Sequence, residues 1–379
     1  MRARDPHEVH RAATPLELFF DLCFVVAIAL AASELHHGIV DGNVVESIRS
    51  YALAFFAIWW AWVNFTWFAS AYDSDDAPYR LLVFLQMIGV LVLAAGVPRA
   101  FEHLDYGFVT LGYAIMRIGL VVQWLRAARS DHPRRRTALR YAVGITLCQI
   151  AWIGLLLVPP ETWVAGWLVL APLEMIVPVW AEHAAPTTWH PHHIAERYGL
   201  LTLIVLGESV LAATIAIQSG LDAGYPPAAL VRTIVGGLLI LFSMWWLYFD
   251  VPGHRVLTSS RRAFQWGYAH YLVFGSVAAV GAGISVYADV IAGHGHVSRV
   301  VAGSSVTLPV AVFLMLVWWL LCRPTRPGRT TDAAFFTAAA GILAAPLTPY
   351  PVLTTGVVLA ALVALRASAA SRSVAATSS

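Results

Sequence analysis

Lysine is absent from this 379-residue chain, so all 24 of its basic residues are arginines. Charge of either sign is scarce: charged residues make up 12% of the sequence and hydrophobic ones 59%, whereas a soluble domain carries about 25% charged residues. That shortage excludes a water-solvated globular domain and makes lipid the solvent. The net charge of +2 says nothing about nucleic acid, because the arginines lie between apolar runs and do not form one patch. Cysteine is also rare. Cys23, Cys148 and Cys322 each lie inside or at the end of an apolar run, with neither disulfide nor zinc spacing, and they read as small packed hydrophobes. A cleavable leader is not expected: Glu17 and Asp21 interrupt the first apolar run, unlike an uncharged signal core, so that run is read as a retained span. Loops of about a dozen residues at most leave no room between spans for a soluble sensory or effector domain.

What is present is long apolar segments, with a mean hydropathy of +0.69. A helix needs about 20 apolar residues to cross the hydrocarbon layer. Runs of that order lie at 16–35, 48–71, 79–97, 106–127, 139–158, 161–182, 197–217, 228–250, 264–290 and 300–322. Pro346, Pro349 and Pro351 break the stretch 333–366 into two short spans, 333–346 and 352–366. The expectation is therefore an all-α, polytopic transmembrane helix bundle of about 12 spans. With the N-terminus inside, 19 arginines fall on the inner side, Arg117 lies within a span, and only Arg49, Arg99, Arg232 and Arg299 fall outside. This is a strong positive-inside bias. It places both termini in the cytoplasm and the chain in the cell (inner) membrane.

The segment 17–32 resembles 196–211 in opening on glutamate, with an aromatic close behind and a long aliphatic run after it; each precedes a helix with a tryptophan pair, Trp59-Trp60 and Trp245-Trp246. This suggests a six-plus-six internal repeat, with halves 1–190 and 191–379, an architecture common among transporters.

Ionisable groups within spans carry an insertion penalty of about 2.5–3.5 kcal/mol or more each and mark functional candidates. Arg117, Glu174 and Glu208 each lie roughly 16–20 Å along their helices from the membrane edge, at 1.5 Å per residue. An Arg–Glu pair or an Arg with two carboxylates fits that depth, either as a structural lock or as a substrate or proton site. Pro172 and Pro178 flank Glu174 and can open the helix locally or merely kink it. Gly207 and Ser209 beside Glu208 favour close helix packing. Glu17 and Asp21 share one helical face; they either share a proton or a cation, or pair with an Arg or His from another helix. The candidate substrate or ion pathway is thus Glu17, Asp21, Arg117, Glu174, Glu208 and Ser209.

Nearer the inner face, Asp73, Asp75 and Asp76 read as a solvated turn that caps the third helix. His183, His190, His192 and His193 precede Glu196 and Arg197. His192 or His193 with Glu196 has helical spacing for a metal, but a loop of histidines without cysteine reads better as an interfacial helix start, and no metal is assigned. Arg134, Arg135 and Arg136 set topology and touch anionic lipid. Tryptophans and tyrosines near span ends are interfacial anchors. His270 reads as a buried hydrogen-bonded histidine, with a proton relay as the alternative.

Together, ELFFDLCFVVAIA at 17–29, YDSDD at 72–76, HHIAERYGLLTLIVLGES at 192–209 and WWLYFD at 245–250 resemble the bacterial low temperature requirement A family. The resemblance covers roughly residues 10–290 and is expected to extend over the whole chain, and its characteristic polar positions fall on Glu17, Asp21, Asp73, Asp75, Asp76, His193, Glu196, Arg197, Gly207, Glu208, Ser209 and Asp250. It implies a multi-spanning bacterial membrane protein tied to growth in the cold, and supplies no biochemical activity. The leading expectation is a transporter or channel-like mover of a small solute or ion, with or without proton coupling, in which Glu174 and Glu208 are the coupling or substrate carboxylates and Arg117 the counter-charge. The alternatives are a non-catalytic membrane component supporting growth at low temperature and an intramembrane enzyme acting on lipid. The histidines lie at depths different from those of Glu174 and Glu208, which weighs against the enzyme, so no catalytic residue is assigned. No cofactor and no nucleic acid are expected. The expected partners are the lipid bilayer, a small-molecule or ion substrate, and a further copy of the chain in a homo-oligomer.

Overall fold

The computed structural model describes residues 3–5, 8, 11–222, 227–325 and 328–377. Of the arginines used for orientation, Arg2, Arg326 and the side chain of Arg372 lie outside the described residues. Among the described residues twelve α-helices follow one another: α1 Pro15–Val40, α2 Val44–Tyr72, α3 Ala77–Glu102, α4 Gly107–Ser130, α5 Arg135–Leu155, α6 Trp163–Glu182, α7 Pro191–Asp222, α8 Pro227–Phe249, α9 Ser260–Ile291, α10 Arg299–Val317, α11 Arg329–Ala344 and α12 Pro351–Thr377. No strand occurs among the described residues. Each of the twelve is long and apolar enough to cross a membrane, α10 with the turns that extend it to Thr325 and α11 with its extension to Leu347.

Local chemistry sets the helix ends. Thr14 and Glu17 form a reciprocal cap at the start of α1: the Thr14 N–H donates to Glu17 Oε2 at 2.8 Å and the Glu17 N–H to Thr14 Oγ1 at 3.3 Å, satisfying donors that a helix start leaves open. Asp76 accepts from the Tyr79 N–H at 2.8 Å and caps α3; Ser259 and Ser298 cap α9 and α10 in the same way. Pro191 opens α7, where a missing N–H costs nothing, so this helix begins six residues before the apolar run expected at 197. His193 and Arg197 are therefore helical. The α6 helix continues through Pro172 and Pro178 without a break. The α10 helix ends in a wide π turn at Trp318–Cys322, which the hydropathy pattern does not reveal.

The chain divides into two compact units. One comprises Met1–Ala31 and Arg49–Tyr198, the other Ala32–Ile48 and Gly199–Ser379, so α1, α2 and α7 contribute to both. In the first unit α3 and α4 approach so closely that a methyl on Gly89 or Gly112 would overlap the backbone of the opposite helix; small residues permit this approach in lipid. Trp124 and Tyr141 stack nearby at 4.1 Å. In the second unit Gly236 and Gly356 give α8 and α12 the same close contact. His270 is buried there: its Nδ1–H donates to the Trp266 carbonyl at 2.6 Å, so Nε2 accepts from the Tyr248 hydroxyl at 2.9 Å, fixing one neutral tautomer. Leu147, Ile150, Leu168 and Ile176 lie outward and exposed, as lipid contact requires.

Candidate functional site

Four ionisable side chains meet within the first unit. Glu17 and Asp21 stand one turn apart on α1, and His193 and Arg197 one turn apart on α7. Arg197 Nη2 donates to Asp21 Oδ1 at 2.6 Å, and Nη1 lies 3.7 Å from Glu17 Oε1. His193 Nε2 is 3.0 Å from Glu17 Oε1 and 3.3 Å from Oε2. The α2 helix supplies a third wall: Trp62 Nε1–H donates to Asp21 Oδ1 at 2.6 Å, and Thr66 Oγ1 accepts from Arg197 at 3.4 Å. No member of the quartet is more than 1% exposed. Asp21 Oδ2, Arg197 Nε and His193 Nδ1 are buried with no hydrogen-bond partner among the described residues. With His193 as imidazolium the quartet is neutral; with neutral imidazole it carries one negative charge. One proton thus switches the net charge of a site shut off from water, where charge imbalance is expensive.

A second layer borders it. Arg11, counted by sequence among the orienting arginines, is buried and donates to the Ser70 and Ala69 carbonyls that end α2, where a cation suits the helix terminus. Its guanidinium lies 3.9 Å from Asp73, and that of Arg4 lies 3.6 Å away. Burial and then repulsion from Glu17 push the Asp73 carboxyl above the usual carboxylate range despite these cations. The His190 N–H donates to Ser70 Oγ at 3.0 Å, and its Nε2–H to the Glu8 carbonyl at 2.8 Å. Glu196 accepts from the Ala13 N–H at 3.2 Å.

The expected acidic turn therefore separates into parts. Asp73 is buried, while Asp75 is exposed on Arg80 at 2.8 Å, and the hydrogen bonds from Arg80 draw its carboxyl down. Asp76 holds Arg126 at 2.6 Å as well as the α3 start; burial raises its carboxyl, but the hydrogen bonds from Arg126 and the Tyr79 N–H prevail and leave it lowered. Asp250 pairs with Arg366 in the second unit.

Arg117 and Glu174 form a buried ion pair within the first unit. The Tyr113 hydroxyl lies 3.1 Å from both Glu174 oxygens, Trp152 Nε1–H donates to Oε2 at 2.9 Å, and Arg117 reaches the Tyr113 oxygen at 2.6 Å and stacks over its ring. Glu208 does not share this arrangement. It belongs to the second unit, is partly exposed in mid-helix, and has no hydrogen bond or ion pair among the described residues. Gly207 beside it faces open space. Ser209 is buried, donates to the Val277 carbonyl at 2.9 Å, and packs against Gly281.

Sequence reasoning missed Trp62, Thr66, Ser70, Tyr113 and Trp152. A signal for the first three was present: polar groups recur every fourth residue at 62, 66 and 70, one face of a helix that otherwise reads as a tryptophan-rich anchor. Tyr113 and Arg117 have the same spacing. Among the described residues no three His, Cys, Asp or Glu side chains are grouped to hold a metal ion.

Twelve long apolar helices among the described residues, with ion pairs buried inside the first unit, define a polytopic α-helical membrane protein. The chain belongs to the family of the bacterial low temperature requirement A protein (LtrA), whose model matches residues 12–368. It is also similar to the uncharacterized protein RA0937 of Rhizobium meliloti (strain 1021), with 30% identity over 250 residues; the match covers 62% of this chain and 57% of that protein. No solved structure matches it.

Proposed function

We propose that the protein moves a small solute or ion across the membrane with proton coupling, and that Glu208 is the carboxylate that takes up and releases the proton. The observation that supports this is the state of Glu208: a partly exposed carboxylate midway along α7, with no partner among the described residues. An unpaired charge at that depth is unfavourable by about 2.5–3.5 kcal/mol or more, so the group favours a bound proton or cation and is poised to exchange it. The Glu17–Asp21–His193–Arg197 quartet, whose net charge changes with one proton, suits the conformational side of such coupling. A parallel duplication with halves 1–190 and 191–379 accords with this reading, since the quartet draws paired groups from the first helix of each half.

Proteoliposomes loaded with a pH-sensitive dye and challenged with a panel of small ions and solutes test the proposal. The intact protein is expected to give solute-dependent proton movement, and Glu208→Gln to abolish it. Unaltered flux in that variant would overturn the role of Glu208. The closed pairing of Arg117 with Glu174 favours a second reading, a non-catalytic membrane component, which predicts no flux for any solute in the same vesicles.

A further inference from the structure

The four outer arginines run against the charge bias, so each calls for a local reason. Arg99 has one, in Asp105 at 3.5 Å and the face of Phe108. Arg232 and Arg299 lack such a carboxylate. They rise from α8 and α10 of the second unit and line one half-open cleft of about 110 Å³ together with Thr233, Tyr287 and Tyr350. The Arg232 guanidinium lies over the Tyr350 ring at 4.3 Å, which holds it in place while leaving its N–H edge available. Neither arginine has a carboxylate partner among the described residues. The cleft is also bordered by the first turns of three helices: Ala229 and Arg232 near the start of α8, Arg299 at the start of α10, and Val352 and Leu353 at the start of α12. Helix starts present unsatisfied N–H groups and the positive end of the dipole. Two guanidinium groups, hydroxyl-bearing side chains and three positive helix ends thus surround a space large enough for several water-sized groups, and no acidic side chain lines it.

We infer that this cleft binds a small oxyanion, a phosphate or carboxylate group held by Arg232 and Arg299. The site is distinct from Glu208 and from the buried quartet, so it stands whether or not the transport reading holds. Guanidinium forks match the geometry of such anions and form their strongest hydrogen bonds with them. Two sources present this chemistry: a free anion reaching the cleft from water, and the headgroup of an anionic lipid.

Equilibrium dialysis of the purified protein with radiolabelled inorganic phosphate, and separately with succinate, measures the first. Native mass spectrometry with phosphatidylglycerol against phosphatidylcholine measures the second. Saturable binding of phosphate or succinate, weakened about tenfold or more in Arg299→Gln and Arg232→Ala, assigns a free anion. Selective retention of phosphatidylglycerol, lost in the same variants, assigns a headgroup. Arg299 is exposed, so Arg299→Gln tests the idea without disturbing packing, and Arg232→Lys, which keeps the charge but not the fork, should bind at an intermediate level. Absence of saturable binding in both arms, or binding unaffected by Arg299→Gln and Arg232→Ala, overturns the inference.

Discussion

Arg197 contacts two carboxylates that lie far from it in sequence, 176 positions from Asp21, and this separation explains what could and could not be read in advance. Glu17 and Asp21 were legible because two acids at helical spacing inside an apolar run demand compensation. Their partners were not, because Arg197 stood at the very first position of the expected apolar run and was counted among the inner-side orienting arginines. Removing one member of a buried ion pair costs about 3–5 kcal/mol, since the other charge is left uncompensated. Arg197→Gln is therefore expected to lower the melting temperature in detergent sharply, leaving only the His193 imidazole of the quartet against two carboxylates. Asp21→Asn keeps an acceptor for Trp62 and should be milder, and the double variant should recover part of the loss. Strictly additive losses across this cycle would show that Arg197 and Asp21 are not coupled.

At the scale of helices the apolar runs specified nearly everything, including the proline-broken hairpin resolved as α11 and α12. Helix existence depends on a sum over about 20 residues, which composition supplies. Helix starts and pairings depend on individual contacts, which it does not. The early start of α7 rests on Pro191, and the close packing of α3 on α4 rests on Gly89 and Gly112, two glycines that look ordinary in a chain with 27 of them. A valine at 112 has nowhere to go but into the α3 backbone, and overpacking of this kind costs about 1–3 kcal/mol. Gly112→Val should depress thermal stability and increase proteolysis of the first unit. Gly154→Ala, where nothing lies within 4 Å, should be neutral or slightly stabilising through helix propensity. Equal effects of the two variants would refute the close-packing account.

For the molecule as a whole, the orientation expected from charge is open to test. Arg11 and Arg197 are buried in pairings, so neither serves as a free loop charge. Setting both aside still leaves the remaining arginines heavily weighted to one side, because the Arg134–Arg136 run and the loops before α9 and α11 contribute independently. The loop between α4 and α5 should then be cytoplasmic, and the loop between α3 and α4 should face outward. The native thiols interfere little: Cys23 and Cys322 are buried and Cys148 is partly so, and Cys148→Ala removes the most accessible of them. In that background His103→Cys and His132→Cys place one exposed thiol on each side. A membrane-impermeant maleimide applied to intact cells should label His103→Cys, and should label His132→Cys only after permeabilisation. The reverse pattern would invert the chain, turn the Arg232–Arg299 cleft toward the cytoplasm, and place the Glu17–Arg197 quartet near the outer surface.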